Sequence, residues 1–74
     1  MPKYIFLIKD GSTEAHVLEL QNDSAAVEEG LKTASGMIRD LSLTRIGTQI
    51  QILEAGEEDG KEILKVEIRA ARIR

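Results

Sequence analysis

The chain has 74 residues, 42% of them hydrophobic and 31% charged, with a net charge of −3. That balance excludes a disordered chain, and the length limits it to one domain, residues 1–74. The negative charge argues against nucleic acid or an anionic membrane as partner, and the absence of cysteine excludes disulfides and thiolate metal sites.

A domain this short buries only about 60% of the surface its unfolded chain exposes, so its stability is marginal without help. Disulfides are excluded, and a single histidine cannot make a multi-histidine site within one chain. Oligomerisation is the remaining source of help. A homodimer, or a complex with another protein, is therefore expected.

The chain opens with Met-Pro-Lys and the apolar run Tyr4 to Ile8. That run is too short for a signal-peptide core or a membrane span. With no cysteine, the expected compartment is the cytoplasm. Apolar residues fall on both parities from Lys3 to Lys9, which predicts a strand buried on both faces. Asp10-Gly11 follows, a strong hairpin signal because glycine adopts positive φ without steric cost. A second strand is predicted from Thr13 to Leu20. A two-residue turn at Asp10-Gly11 would pair Lys9 with Ser12, Phe6 with Ala15 and Tyr4 with Val17.

Gln21-Asn22-Asp23-Ser24 is a cluster of capping residues, and Asn22, Asp23 or Ser24 suits the start of a helix. Val27, Leu31, Ala34, Ile38 and Leu41 recur at three- and four-residue steps, with Met37 beside them. This predicts a helix packed by that face. Gly30 and Gly36 weaken such a helix by roughly 1 kcal/mol each, and close packing on a sheet is the reading that explains them. Asp40 to Thr44 forms the connection.

Ile46 to Ala55 alternates, with Ile46, Thr48, Ile50 and Ile52 against Gly47, Gln49 and Gln51. Lys61 to Arg72 alternates as well, with Leu64, Val66, Ile68 and Ala70 against Lys65, Glu67 and Arg69. A two-residue turn at Asp59-Gly60 would place Ile52 against Glu67. A three-residue loop, Glu58-Asp59-Gly60, places Ile50 against Ile68, Ile52 against Val66, Gln49 against Arg69 and Gln51 against Glu67. Keeping apolar residues together selects the three-residue loop, with a bulge at Gly60. The expected fold is α+β: a four-stranded antiparallel sheet with one helix on one face, in the order ββαββ. The first hairpin is apolar on both sides, so one helix leaves a patch uncovered. Tyr4, Phe6, Ile8 and Val17 are the candidate interface residues.

Few residues suggest chemistry. His16 is the chain's one histidine, the residue type best suited to general acid–base work, and Glu14 is its nearest partner. An exposed or interface histidine is the simpler reading. The acidic residues Glu54, Glu57, Glu58, Asp59 and Glu62 lack the spacing of a calcium loop and suit a solvated hairpin tip. Lys65, Arg69, Arg72 and Arg74, with Arg39 and Arg45 elsewhere, form a candidate basic patch. Nucleic-acid binding through it would want aromatics nearby, and the chain has only Tyr4 and Phe6. There is no phosphate-cradling glycine loop and no catalytic triad spacing, so no catalytic residue, metal or cofactor is assigned.

Met1-Pro2-Lys3-Tyr4-Ile5-Phe6, Asp10-Gly11 and Glu57-Glu58-Asp59-Gly60-Lys61 together resemble a family of short bacterial proteins of alphaproteobacterial type, classed as a domain of unknown function. Its members open with a Met-Pro-Arg-Tyr-Phe-Phe strand and an Asp-Gly turn, and close with a hairpin around an Asp-Glu-Asp-Gly-like turn. The chain lacks the Asp-Glu-x-Gly segment common in that family and has fewer aromatics. The resemblance implies ββαββ and carries no catalytic residues over. The functional expectation is a non-catalytic protein–protein interaction or oligomerisation module. Alternatives are a nucleic-acid accessory protein using the basic C-terminal strand, and an enzyme subunit whose site, with His16 and Glu14, forms between subunits.

Overall fold

β-branched and aromatic side chains dominate the N-terminal run, and a computed structural model of the protein places that run in strand β1, Lys3–Lys9. The structure describes residues 1–40, 50–71 and 73. β2 (Thr13–Glu19), α1 (Asp23–Arg39), β3 (Gln51–Glu57) and β4 (Glu62–Ile68) follow in the chain. The strands form one antiparallel sheet in the order β2-β1-β3-β4, with the helix packed on one side, an α+β fold of order ββαββ. β2 and β3 both run antiparallel to β1, so they are parallel to each other with β1 between them. Helix α1 lies on the connection that crosses from one to the other.

The first hairpin departs from the expected register. Lys9 pairs with Thr13, so the loop is Asp10-Gly11-Ser12 and has three residues. Gly11 sits in the middle at φ 102°, and the Asp10 N–H donates to the Ser12 carbonyl at 3.1 Å. The one extra loop residue shifts the partner strand by one position, which exchanges its faces. Val17 consequently lies opposite Ile5 and Ala15 opposite Leu7, while His16 faces Phe6 and Leu18 faces Tyr4.

The second hairpin has the expected loop and an unexpected body. The Gly60 N–H donates to the Glu57 carbonyl at 2.9 Å, the Glu57 N–H donates to the Lys61 carbonyl at 2.8 Å, and Gly60 has φ 97°. This is a type I turn closed by a left-handed glycine, the predicted bulge. Beyond it the ladder slips once more: Gly56 pairs with Glu62 but Ala55 pairs with Leu64, leaving Ile63 as an extra residue. This second bulge cancels the register of the loop. Leu53 faces Val66, Gln51 faces Ile68, and Ile52 faces Glu67, overturning the pairings of Ile52 with Val66 and of Gln51 with Glu67. Ile50 precedes the strand, and the predicted strand residues 46–49 and Arg72 lie outside the described residues.

α1 starts at Asn22, whose side-chain oxygen accepts from the Ala25 N–H at 2.9 Å. The helix buries Ala26, Gly30 and Ala34; of the predicted stripe Ala34 alone is fully buried, and Val27 and Met37 are half-buried. Leu31 and Ile38 are about half exposed, and Leu41 lies outside the described residues. Close approach explains the choice of face. A Cβ at Gly30 would lie 2.5 Å from Leu64 Cδ2 and 3.4 Å from Leu53 Cδ2. The helix therefore rests against β3 and β4 on small residues, while a Cβ at Gly36 would meet nothing. Tyr4, Phe6, Ala26 and Ala55 form the centre of the core, and Leu20, Ile63 and Leu64 pack around them.

Candidate interaction surface

Pleating sorts the sheet into two faces. Tyr4, Phe6, Leu53 and Ala55 point to the helix side and are buried. Their neighbours Ile5, Leu7, Ile52, Glu54 and Gly56 point the other way. No described element covers that second face. Across it the cross-strand rows read Ala15–Leu7–Glu54–Lys65 and Val17–Ile5–Gly56–Glu62. One half, on β2 and β1, is apolar. The other, on β3 and β4, is charged.

The charged half is paired within itself and with the end of β1. Lys9 Nζ lies 2.6 Å from Glu54 Oε1, and this contact holds the Glu54 carboxyl below the usual carboxylate range despite partial burial. Lys65 is the cross-strand neighbour of Glu54, and Arg69 lies 3.3 Å from Glu67. The candidate basic patch thus has carboxylates beside Lys65 and Arg69. Its other members Arg72 and Arg74, and also Arg45, lie outside the described residues.

The apolar half continues onto β2, all seven residues of which are exposed. Val17 is 59% exposed and Leu18 38%. The four predicted interface residues do not form one surface. Tyr4 and Phe6 are 1% and 3% exposed and belong to the core, so they are corrected out of the interface. Ile8 shares their side of β1. Val17 alone of the four lies on the open face, together with Ile5, Leu7, Ala15 and Ile52. The two-residue turn assumed at Gly11 had assigned Val17 to the side of Tyr4.

β2 is also an open edge. The Leu20 N–H donates to the Pro2 carbonyl at 3.1 Å, which continues the β1–β2 ladder. In an antiparallel ladder both main-chain groups of alternate residues turn the same way. The even-numbered residues of β2 thus serve β1, and Thr13, Ala15, Val17 and Glu19 direct their N–H and C=O groups to the free edge. On the helix side of this strand, His16 Nε2 lies 3.5 Å from Glu14 Oε2, and both side chains are more than half exposed.

A second polar feature sits at the start of α1. The Tyr4 hydroxyl donates to Asp23 Oδ1 at 2.8 Å. Burial, then the hydrogen bond to Asp23 and the charges of Asp23 and Glu57, push the Tyr4 pKa up to about 12. Tyr4 therefore stays a donor at neutral pH. Hydrogen bonding with Asp23, then burial and the charges of Asp23 and Asp59, raise the Glu57 carboxyl above its ordinary value. These groups line an open cleft of about 790 Å³ with Asn22, Ser24, Glu58 and Asp59. The cluster ties β1 to the first turn of α1 and the end of β3. A smaller groove of about 200 Å³ lies beside Gly56 on the open face, bounded by Ile5, Leu7, Glu54 and Glu62.

Among the described residues, no group of three or more His, Asp or Glu side chains is placed to hold a metal ion. Among them, too, no helix is long and apolar enough to cross a membrane. The fold and surface define a small α+β protein with a one-sided helix layer and an uncovered apolar half-sheet. Comparison with protein-family models, curated proteins and solved structures finds no match to the chain.

Proposed function

We propose that the protein is a non-catalytic association module that docks a protein partner, foremost a second copy of itself, through the uncovered β1–β2 half of the sheet. The observation that carries this reading is the exposure of β2 along its whole length next to the half-buried apolar side chains of Ile5 and Leu7 on the uncovered face. Contiguous apolar surface rimmed by charge is characteristic of an interface. The small size of the domain supports the same conclusion, since association supplies the burial that the core lacks. The cysteine-free composition suits a reducing compartment, and we place the protein in the cytoplasm.

Size-exclusion chromatography with light scattering, from micromolar to millimolar chain, tests the proposal. Concentration-dependent growth to a dimer is expected, with loss of the dimer in Val17→Glu, which sets a charge on the apolar row. A monomer at every concentration, with no binding of an apolar dye, overturns the reading.

A further inference from the structure

We propose that two copies join edge to edge through β2, antiparallel about a two-fold axis at Ala15, so that Glu14 of each copy faces His16 of the other. This proposal rests on the association reading above and names its partner and geometry.

The two edges of the sheet are built differently. β4 carries the extra residue Ile63, which interrupts its ladder, and Glu62, Lys65 and Glu67 occupy its open-face positions. Bulges and alternating charge are the devices by which edge strands avoid pairing with other chains. β2 has no bulge, proline or lysine, and its register with β1 is regular over all seven residues. Its free edge presents four residues with both main-chain groups turned outward. Such an edge is a template for another strand.

A two-fold axis normal to the sheet pairs residues of equal parity, because only then do both copies keep their apolar row on the same face. Three registers then overlap most of β2. An axis at Val17 sets Ala15 against Glu19 and His16 against Leu18. An axis at His16 sets histidine against histidine and Glu14 against Leu18. An axis at Ala15 sets Glu14 against His16 twice and Thr13 against Val17 twice. The axis at His16 also sets Thr13 against Glu19, but it opposes the two histidines at its centre and leaves Glu14 against Leu18; only the axis at Ala15 sets the imidazole of each copy against a carboxylate of the other. Glu14 and His16 are already neighbours on one strand, 3.5 Å apart, so each keeps that contact and gains its complement across the axis. These pairs occupy non-hydrogen-bonded positions, where opposed side chains come closest. Thr13, Ala15 and Val17, with outward main-chain groups, make the hydrogen bonds. The joined sheet has eight strands, and the rows of Ile5, Leu7, Ala15 and Val17 from both copies merge on its open face.

The chain has no cysteine, so single cysteines report the register directly. In the full chain, Ala15→Cys is expected to form an intermolecular disulfide under mild oxidation. Its opposed Cα atoms lie about 5.5 Å apart, within disulfide range. Val17→Cys is expected to stay reduced, since the two copies of that position are about 13 Å apart along the strands. His16→Lys is expected to keep the dimer, and His16→Glu to weaken it by about tenfold, because it opposes like charges at two positions. Circular dichroism of each variant confirms the fold. Cross-linking at Val17 but not at Ala15, or dissociation by His16→Lys, overturns this geometry while the association reading stands. A wild-type monomer at every concentration overturns both.

Discussion

The two halves of the sheet use the same strand length to different ends. β3 and β4 lie under the helix, and β3 carries the most deeply buried residues of the pair, Leu53 and Ala55. β1 and β2 share one buried strand and one strand with no buried residue at all. β1, β3 and β4 make the core with the helix, and β2 with the open face beside it is available for contact. The difference arises from where one helix of small residues can settle. With Gly30 seated against Leu64 and Leu53, the helix reaches the sheet closely, and it lies over β3 and β4.

The largest expected effect comes from breaking the covered half. Leu53 is fully buried, so Leu53→Ala is expected to destabilise the protein by about 2–5 kcal/mol, through lost burial and the cavity left behind. Val17→Ala removes methyl groups of comparable chemistry from the open half and is expected to change monomer stability by less than about 0.5 kcal/mol. Urea unfolding at low protein concentration measures both. Similar losses at the two positions would erase the distinction between the halves.

The order of elements and the one-sided helix were legible from turn residues, capping residues and apolar spacing. What was not legible has a common cause, since each missed feature depends on a single residue of register or rotation. The loop at Gly11 takes Ser12 as a third residue, and that moved Val17 to the open face. The bulge at Ile63 sits where two apolar residues, Ile63 and Leu64, interrupt the alternation of Leu64, Val66 and Ile68. That doublet is a visible signal of an extra residue, and it competes with the register that keeps the isoleucines together. On the helix, spacing was scored by large side chains, yet contact distance is set by the smallest. Ala26, Gly30 and Ala34 recur every four residues and mark the side that comes close. The open face followed from the apolar parity of β1, but its membership required the correct loop. The Tyr4–Asp23–Glu57 cluster joins three elements distant in sequence, so spacing gave no sign of it.

A smaller effect sharpens the contrast at the two turns. Gly11 and Gly60 both have positive φ, at 102° and 97°. An alanine is strained there by about 1–2 kcal/mol. No neighbour would crowd a Cβ at Gly60, so that cost is backbone strain alone. Gly60→Ala is expected to show the full loss in global unfolding, because β3 and β4 hold the helix. Gly11→Ala carries the same strain but on a hairpin whose second strand contacts little besides β1. Its cost in global stability is capped by the free energy with which β2 docks on β1. Once strain exceeds that value, β2 detaches and the rest stays folded. Hydrogen exchange reads this directly: in Gly11→Ala the amides of β2 are expected to lose protection while those of β3 and β4 keep theirs. Equal loss in all four strands would show that β2 is as firmly integrated as β4.

The smallest effect concerns charge, and it again has opposite signs in two places. The carboxyl of Glu54 is held below its ordinary value of 4.5 by Lys9. A lowered carboxyl contributes stability that is present above its unfolded value and lost as pH falls through the folded one. The carboxyl of Glu57 is raised, chiefly by its hydrogen bond with Asp23. In that case the folded state holds the proton more tightly, so stability is greater below 4.5 and declines as pH rises through the folded value. Because the charged form of Glu57 is disfavoured beside Asp23, Glu57→Gln is expected to raise the melting temperature slightly at neutral pH. Well below pH 4.5 both wild type and variant are neutral at this position, and the gain is expected to vanish. Glu54→Gln is expected to do the reverse, lowering the melting temperature at neutral pH and having little effect in acid. Thermal melts of the two variants across that range decide the matter. Parallel pH dependence in both would show that the acidic tip and the Lys9 pair do not differ in sign. Both residues lie on β3, so the contrast tests whether the side chains of one strand are organised separately on the sheet's two faces, Glu57 against the helix and Glu54 on the open side.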